Sequence, residues 1–299
     1  MRITLIHNPK AGKQGAGEAA KLRKFLRAAG HDVRYRSSKE RGWKRALKKS
    51  ADLIVIAGGD GTVGRVARRM VGRAVPIALL PTGTANNIAR TLGLVERPFE
   101  ELVRSWEHAR RVKLDLGCAK GPWGEHYFLE GVGAGLFANL LADPRSDKLK
   151  DRAAAVESGL QRLREAAARC EPVEVCAALD GKDVSGRYLL FEAVNLRYIG
   201  PNLHLVAEAE PGDGRFDLVL VTEEERERLL RYLERWQENR ERLAVLPTLR
   251  GRRLDIEWTG FALHIDDKLR PKPKIKPKKM AGIVQARIAE AALEFLVPA

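Results

Sequence analysis

Cysteine is scarce in this chain, with three residues in 299. Cys118, Cys170 and Cys176 form no C-x-x-C pair and cannot all pair with one another, which excludes a disulfide framework and a zinc site of ordinary spacing. All three are expected to be reduced and buried. Long apolar runs are lacking as well. The longest, LIVIA at 53–57 and VPIALL at 75–80, fall far short of the roughly 20 residues that span a bilayer. The opening MRITLIHNPKAG has no long apolar core and no small-residue cleavage site, so a cytoplasmic location is expected. None of the six histidines stands in H-E-x-x-H or a similar ligand spacing, and no serine has the context of a nucleophile elbow. Aromatic residues make up 6% and form no stacking platform, so nucleic acid is not an expected partner.

What is abundant is positive charge. The formal net charge is +15, with basic clusters at RKFLR, KRALKK, RERLLRYLER and PKPKIKPKK. Such an excess favours a polyanion such as a nucleotide phosphate or anionic lipid headgroups, although each cluster alone reads equally well as a solvated helix face. Apolar residues at 44% and charged residues at 31% describe a chain that folds, and its length suits two domains.

The first third alternates strand and helix patterns. RITLIHN (2–8), HDVRYRSS, DLIVIA and VPIALLP read as strands. Helices are expected over 15–29, closed by Gly30, over 40–50, after GGDGT, and at NNIARTLG. This order predicts a layered α/β domain with a mainly parallel sheet. Beyond about residue 112 the pattern becomes RVKLDLGCA, HYFLEGVG, PVEVCAAL, RYLLFEAVNL, RFDLVLV, RLDIEW, FALHID and ALEFLVP, with a hairpin across Asp180-Gly181-Lys182. Helices at about 146–170 and 223–244 interrupt these strands. The second domain is therefore expected to be β-rich, an antiparallel sheet or sandwich, giving domains 1–118 and 119–299. RPKPKIKPKK (270–279) reads as an extended exposed loop.

Three small-residue turns follow successive strands: NPKAG at 8–12, GGDGT at 58–62 and PTGTANN at 81–87. Ligands of open α/β sheets bind at the carboxyl ends of the strands. A glycine turn entering a helix aims backbone N–H groups at an anion there. Asp60 in that turn would repel a bare phosphate, and a Mg²⁺-nucleotide removes the conflict; the plain alternative is a tight turn with an incidental acid. NPKAG is not a P-loop. GVGAGLF (131–137) lacks the dinucleotide spacing and reads as a turn.

These turns, in this order, resemble the catalytic domain of the diacylglycerol kinase family, which includes bacterial lipid kinases and sphingosine kinases. The similarity runs on through FLEGVGAGLF, AVNLRYIGPNLHL, EPGDGRFDLVLV and ALEFLVP. It implies an α/β nucleotide-binding domain, a β-rich domain and an active site in the cleft between them. By motif it places Asn8, Gly12, Gly58, Gly59, Asp60, Gly61, Thr62, Thr82, Gly83, Thr84 and Asn87 around ATP, with Mg²⁺ reached through Asp60. Asp266 in LHIDDKLR takes the position of the base, with Asp267-Lys268 where relatives carry Gly-Glu. Gly64-Arg65 stands where relatives carry Asn-Glu. Asp213 and Asp217 in PGDGRFD either hold a cation or fix their loop. Asp115 either lines the cleft or pairs with a basic residue. The implied activity is ATP-dependent phosphorylation of diacylglycerol or a related lipid by an enzyme that visits anionic membrane surfaces transiently. An NAD-kinase-like enzyme, which shares GGDGT, and a decayed nucleotide- or lipid-binding protein are the alternatives, and a homodimer is a possible assembly.

Overall fold

The computed structural model describes residues 1–11, 17–143, 151–239, 246–272 and 281–299. The chain divides into two compact units, one of Met1–Leu114, Leu149–Ala153 and Ala291–Ala299, the other of Asp115–Lys148 and Ala154–Glu290.

The first unit is a parallel sheet with helices between its strands. Strands β1 (Arg2–His7), β2 (Asp32–Ser37), β3 (Leu53–Gly58) and β4 (Ile77–Pro81) lie in the order β2-β1-β3-β4, all parallel. β3 is buried along its whole length, as a continuous apolar run between two neighbours requires. Helices α1 (Glu18–Ala28), α2 (Asp60–Ala67), α3 (Asn87–Thr91) and α4 (Phe99–Ser105) connect or follow these strands. Leu22 and Leu26 on α1, Val63 and Val66 on α2, and Leu102 on α4 are buried. The layered α/β architecture is the one that the alternation of patterns predicts. The helix expected at 40–50 is shorter, a 3₁₀ segment at Trp43–Lys48 that begins after Gly42 in the left-handed region.

The second unit is antiparallel and β-rich, also as the strand pattern predicts. Its strands are β5 (Arg110–Gly121), which enters from the first unit, β6 (Gly124–Phe128), β7 (Gly131–Gly135), β8 (Val173–Leu179), β9 (Lys182–Asp183) and β10 (Gly186–Val194). They continue with β11 (Tyr198–Ile199), β12 (Leu203–His204), β13 (Phe216–Thr222), β14 (Thr248–Gly251), β15 (Arg253–Trp258), β16 (Leu263–Ile265), β17 (Lys268–Arg270) and β18 (Gly282–Val297). Helices α5 (Leu136–Ala142), α6 (Arg152–Arg169) and α7 (Arg226–Asn239) complete the set. β10 is the hub, pairing with β7, β8 and β13. Leu190 and Val194 belong to the core shared with α5, α6 and α7, whereas Phe191 and Ala193 belong to a second core with Phe128, Phe216 and Trp258. That split follows from the alternation of side chains along a strand.

Three local expectations change. GVGAG is the strand β7 and not a turn. HYFLEGVG is two strands, because the chain turns at Leu129-Glu130 between β6 and β7. The last strand serves both units: residues 282–287 pair with β15, while Phe295 lies parallel to Ile77 at the edge of the first sheet. Leu293, Phe295, Leu296 and Val297 are buried there, whereas the sequence pattern assigns all of 119–299 to the second domain. The hairpin turn at Asp180-Gly181 has both residues in the left-handed region, which suits a two-residue connection. Cys118 and Cys170 are buried and Cys176, on a strand face, is exposed. Residues 273–280 of the lysine-proline segment lie outside the described residues, and Arg270 before them is buried, with its guanidinium 5.7 Å from the Trp123 ring centroid. Among the described residues no helix is long and apolar enough to cross a membrane.

Candidate functional site

In the first unit the three turns converge because β1, β3 and β4 are neighbours and all point the same way. The Asn8 N–H donates to Ala57 O at 2.8 Å, and the Thr82 N–H to Gly58 O at 3.1 Å, so each turn begins level with the next. Asn8, Gly58, Gly59, Asp60, Gly61, Thr62, Thr82, Gly83, Thr84 and Asn87 all stand on this edge; Gly12 lies outside the described residues. Thr62, Thr82 and Asn87 are buried, while Gly61 and Thr84 are exposed.

The glycines have a packing reason as well as an anion-binding one. A Cβ on Gly83 would lie 2.3 Å from the Gly59 Cα, and one on Gly59 would lie 2.8 Å from the Gly83 Cα. The two turns therefore touch backbone to backbone. Asn86 braces the second turn internally: its Oδ1 accepts the Gly83 N–H and its Nδ2 donates to Gly83 O, each at 2.9 Å. Asn86 has a φ of 55°, a conformation that Asn tolerates better than most residues. Gly83→Val is expected to destabilise the fold by about 1–3 kcal/mol through overpacking, read as a lower unfolding midpoint in urea; an unchanged midpoint would show that the turns can separate freely.

Asp60 is the first residue of α2, and its carboxylate reaches the start of α3, where Oδ1 accepts the Ile88 N–H at 3.1 Å. Burial pushes its carboxyl up from the ordinary range, and the N–H groups of Ile88, Asn87 and Asn86 oppose that shift. The acid in the glycine turn thus ties GGDGT to PTGTANN. Arg65, one turn along α2, braces the same loop: Nε donates to Gly61 O at 3.1 Å, and an Nη donates to Ser38 Oγ and to Thr62 Oγ1 at 3.4 Å. Its guanidinium stands 6.0 Å from the centroid of Trp43. Thr82 Oγ1 is buried with no hydrogen-bond partner among the described residues.

In the second unit Asp266 sits in the two-residue turn between β16 and β17, whose flanking residues Ile265 and Lys268 pair. Its φ is 48°. Oδ1 accepts the N–H groups of Leu129 at 3.1 Å and Glu130 at 2.9 Å, and the Asp266 N–H donates to Gly131 O at 2.8 Å. The break between β6 and β7, which the sequence pattern runs together, supplies those two amides. Asp267 is exposed and pairs with Lys268 at 2.7 Å. The two acids differ because Asp266 is anchored in the turn by backbone amides, whereas Asp267 faces solvent.

Asp213 and Asp217 both pair with Arg250. Burial pushes the Asp217 carboxyl up while Arg250 pulls it down. The guanidinium supplies the positive charge that a cation there would bring, and among the described residues no group of three or more His, Cys, Asp or Glu is arranged to hold a metal. Asp115 is buried and accepts the Gly214 N–H at 2.6 Å, fixing the same loop.

One buried pair is invisible to motif reading. Glu192 on β10 and His264 on β16 meet at 2.7 Å, Oε2 to Nε2, with exposures of 0% and 2%. The signal for Glu192 was an acid inside the apolar run LLFEAV.

The first unit is thus an α/β domain whose parallel sheet carries small-residue turns packed together at its carboxyl edge, the edge where ligands of open α/β sheets bind. Residues 2–119 match the family model of the diacylglycerol kinase catalytic domain. It is 28% identical over 231 residues to the diacylglycerol kinase of Bacillus subtilis, covering 74% of this chain and 73% of that one. It is 24% identical over 283 residues to the diacylglycerol kinase of Mycobacterium tuberculosis, covering 89% and 88%. The crystal structure of a diacylglycerol kinase from Bacillus anthracis superposes with a TM-score of 0.71 over 99% of this chain and 96% of that one at 19% identity, a likeness of fold.

Proposed function

We propose that this chain is an ATP-dependent lipid kinase that moves the γ-phosphate of ATP to a hydroxyl of diacylglycerol or a related lipid. The observation that carries the reading is the joining of GGDGT and PTGTANN into one edge by the Asp60 carboxylate and by the backbone contact of Gly59 with Gly83, inside the stretch that matches the catalytic-domain family. The relatives' names support a lipid acceptor.

The residues fit a Mg²⁺-nucleotide. Asn8, Gly58, Gly59, Gly61, Thr62, Thr84 and Asn87 stand on the edge that would face the nucleotide, Gly83, with its N–H and C=O held by Asn86, lets the turns approach, and the unpartnered Thr82 hydroxyl is a donor waiting for an acceptor. Asp60 would hold the cation; Mg²⁺ commonly takes one or two carboxylates with phosphates and waters. When bound, the metal gathers the charge of the phosphates. The acceptor hydroxyl oxygen forms the new P–O bond as the bond to the β–γ bridging oxygen breaks, ADP leaves, and the hydroxyl proton goes to Asp266.

The acceptor class is tested by offering ATP with diacylglycerol, monoacylglycerol, phosphatidylglycerol, sphingoid bases and NAD. ATP consumption that depends on one of the lipids is the expected result; consumption with NAD alone would make the chain an NAD-kinase-like enzyme, and nucleotide binding without turnover a decayed one.

The net charge of +15 supports transient docking of a cytoplasmic enzyme on anionic membranes. Each Lys or Arg near such a surface contributes about 1 kcal/mol, which salt screens. Sedimentation with phosphatidylserine vesicles is expected to weaken steeply as salt rises. Binding indifferent to salt would point to an apolar anchor instead.

A further inference from the structure

Two ionisable side chains with no access to water are costly in a core that apolar residues could fill. On β10, Glu192 stands between Leu190 and Val194, which face the helices, so packing alone asks for a third apolar residue. Instead its carboxylate crosses a notch in β7. Gly133 is the register partner of both Glu192 and His264, and a Cβ there would lie 2.1 Å from Glu192 Oε2. A Cβ on Gly131 would lie 2.8 Å from Glu192 Oε1. The glycine-rich strand therefore opens a channel through which a residue of β10 reaches one of β16.

The other nitrogen of His264 shows what the pair does. Nδ1 is 2.9 Å from the backbone oxygen of Asp266. A carbonyl oxygen only accepts, so Nδ1 carries a proton. Nε2 and Glu192 Oε2 then share a second proton, and the Nδ1–H bond persists whichever of the two holds it. Burial pushes the Glu192 carboxyl up, against the pull of His264. His264 is pushed down by burial and up by Glu192, with a net rise.

We propose that Glu192 and His264 are positioning residues for Asp266. Glu192 orients the imidazole, and His264 Nδ1–H holds the Asp266 carbonyl in its left-handed turn, so that the carboxylate meets the amides of Leu129 and Glu130. Neither side chain touches the reacting atoms. The consequence for catalysis rests on the reading of Asp266 as the base; the positioning itself does not.

Amide substitutions separate the two nitrogens. In a Glu192→Gln background, whose amide can donate to Nε2 and leave Nδ1–H in place, His264→Asn sets an amide N–H near the Nδ1 position, whereas His264→Gln sets one near Nε2 and loses the Nδ1 donor. The Gln variant is expected to lower kcat on the order of 10–100-fold, with KM for ATP unchanged, and to speed hydrogen exchange at the Leu129 and Glu130 amides. The Asn variant is expected to stay near the background in both. Equal kcat per folded molecule and equal exchange in the two variants would overturn the proposal. Nitrogen NMR of labelled His264 in the unaltered protein decides the matter even if a variant fails to fold: a protonated Nδ1 supports the proposal, and a bare one contradicts it. If Asp266→Asn retains full turnover, the reading of Asp266 as base fails by itself, while the exchange and NMR results still judge the positioning.

Discussion

Asp266→Asn is expected to lower turnover by roughly 10²–10⁴-fold, the usual share of a general base, with KM for ATP little changed. The substitution isolates proton acceptance from structure. Asn tolerates the positive φ of 48° that this turn requires, and its Oδ1 can accept the same amides of Leu129 and Glu130, so the turn should survive. What is lost is a carboxylate able to take the acceptor's proton. Asp267→Asn is the internal control. Asp267 is exposed and, among the described residues, paired with exposed Lys268, a kind of contact worth about 0–1 kcal/mol, so its loss should be mild. Steady-state rates for the two variants with a lipid acceptor decide the matter; a severe Asp267 effect beside a silent Asp266 would move the base by one residue.

Asp60→Asn is expected to abolish turnover, because it removes the charge that would hold the cation while keeping one acceptor for Ile88 N–H. Asp60→Ala should do this and destabilise the protein as well, by about 1–3 kcal/mol, since it leaves a buried backbone donor unmatched. Thermal unfolding with turnover separates the two roles. Wild-type turnover in the Asn variant would confine Asp60 to its structural bond; equal stability of the Ala and Asn variants would deny it that bond.

These two acids show where the sequence is legible and where it stops. The parallel sheet could be read because β1, β3 and β4 are continuous apolar runs separated by helical spacing and punctuated by glycine turns. The clustering of NPKAG, GGDGT and PTGTANN followed from strand direction alone. The contact between Gly59 and Gly83 did not, because a glycine needed for close backbone approach looks the same in sequence as one needed for an anion. The turn at Leu129-Glu130 was hidden inside an apolar strand pattern, and with it the two amides that hold Asp266. Glu192 and His264 lie 72 residues apart, and only the pairing of β7 with both β10 and β16 brings them together. The closing strand could be recognised as a strand, but its share in the first sheet depends on which edge was left open.

In the proposed function, this chain transfers a phosphoryl group to a lipid hydroxyl. The most direct measurement incubates the protein with γ-labelled ATP, Mg²⁺ and mixed vesicles of diacylglycerol and phosphatidylserine, then counts label in the extracted lipid. Label is expected in a phosphorylated lipid with the unaltered protein and almost none with Asp266→Asn or Asp60→Asn. Label that appears only as inorganic phosphate, or equally in all three proteins, would contradict it.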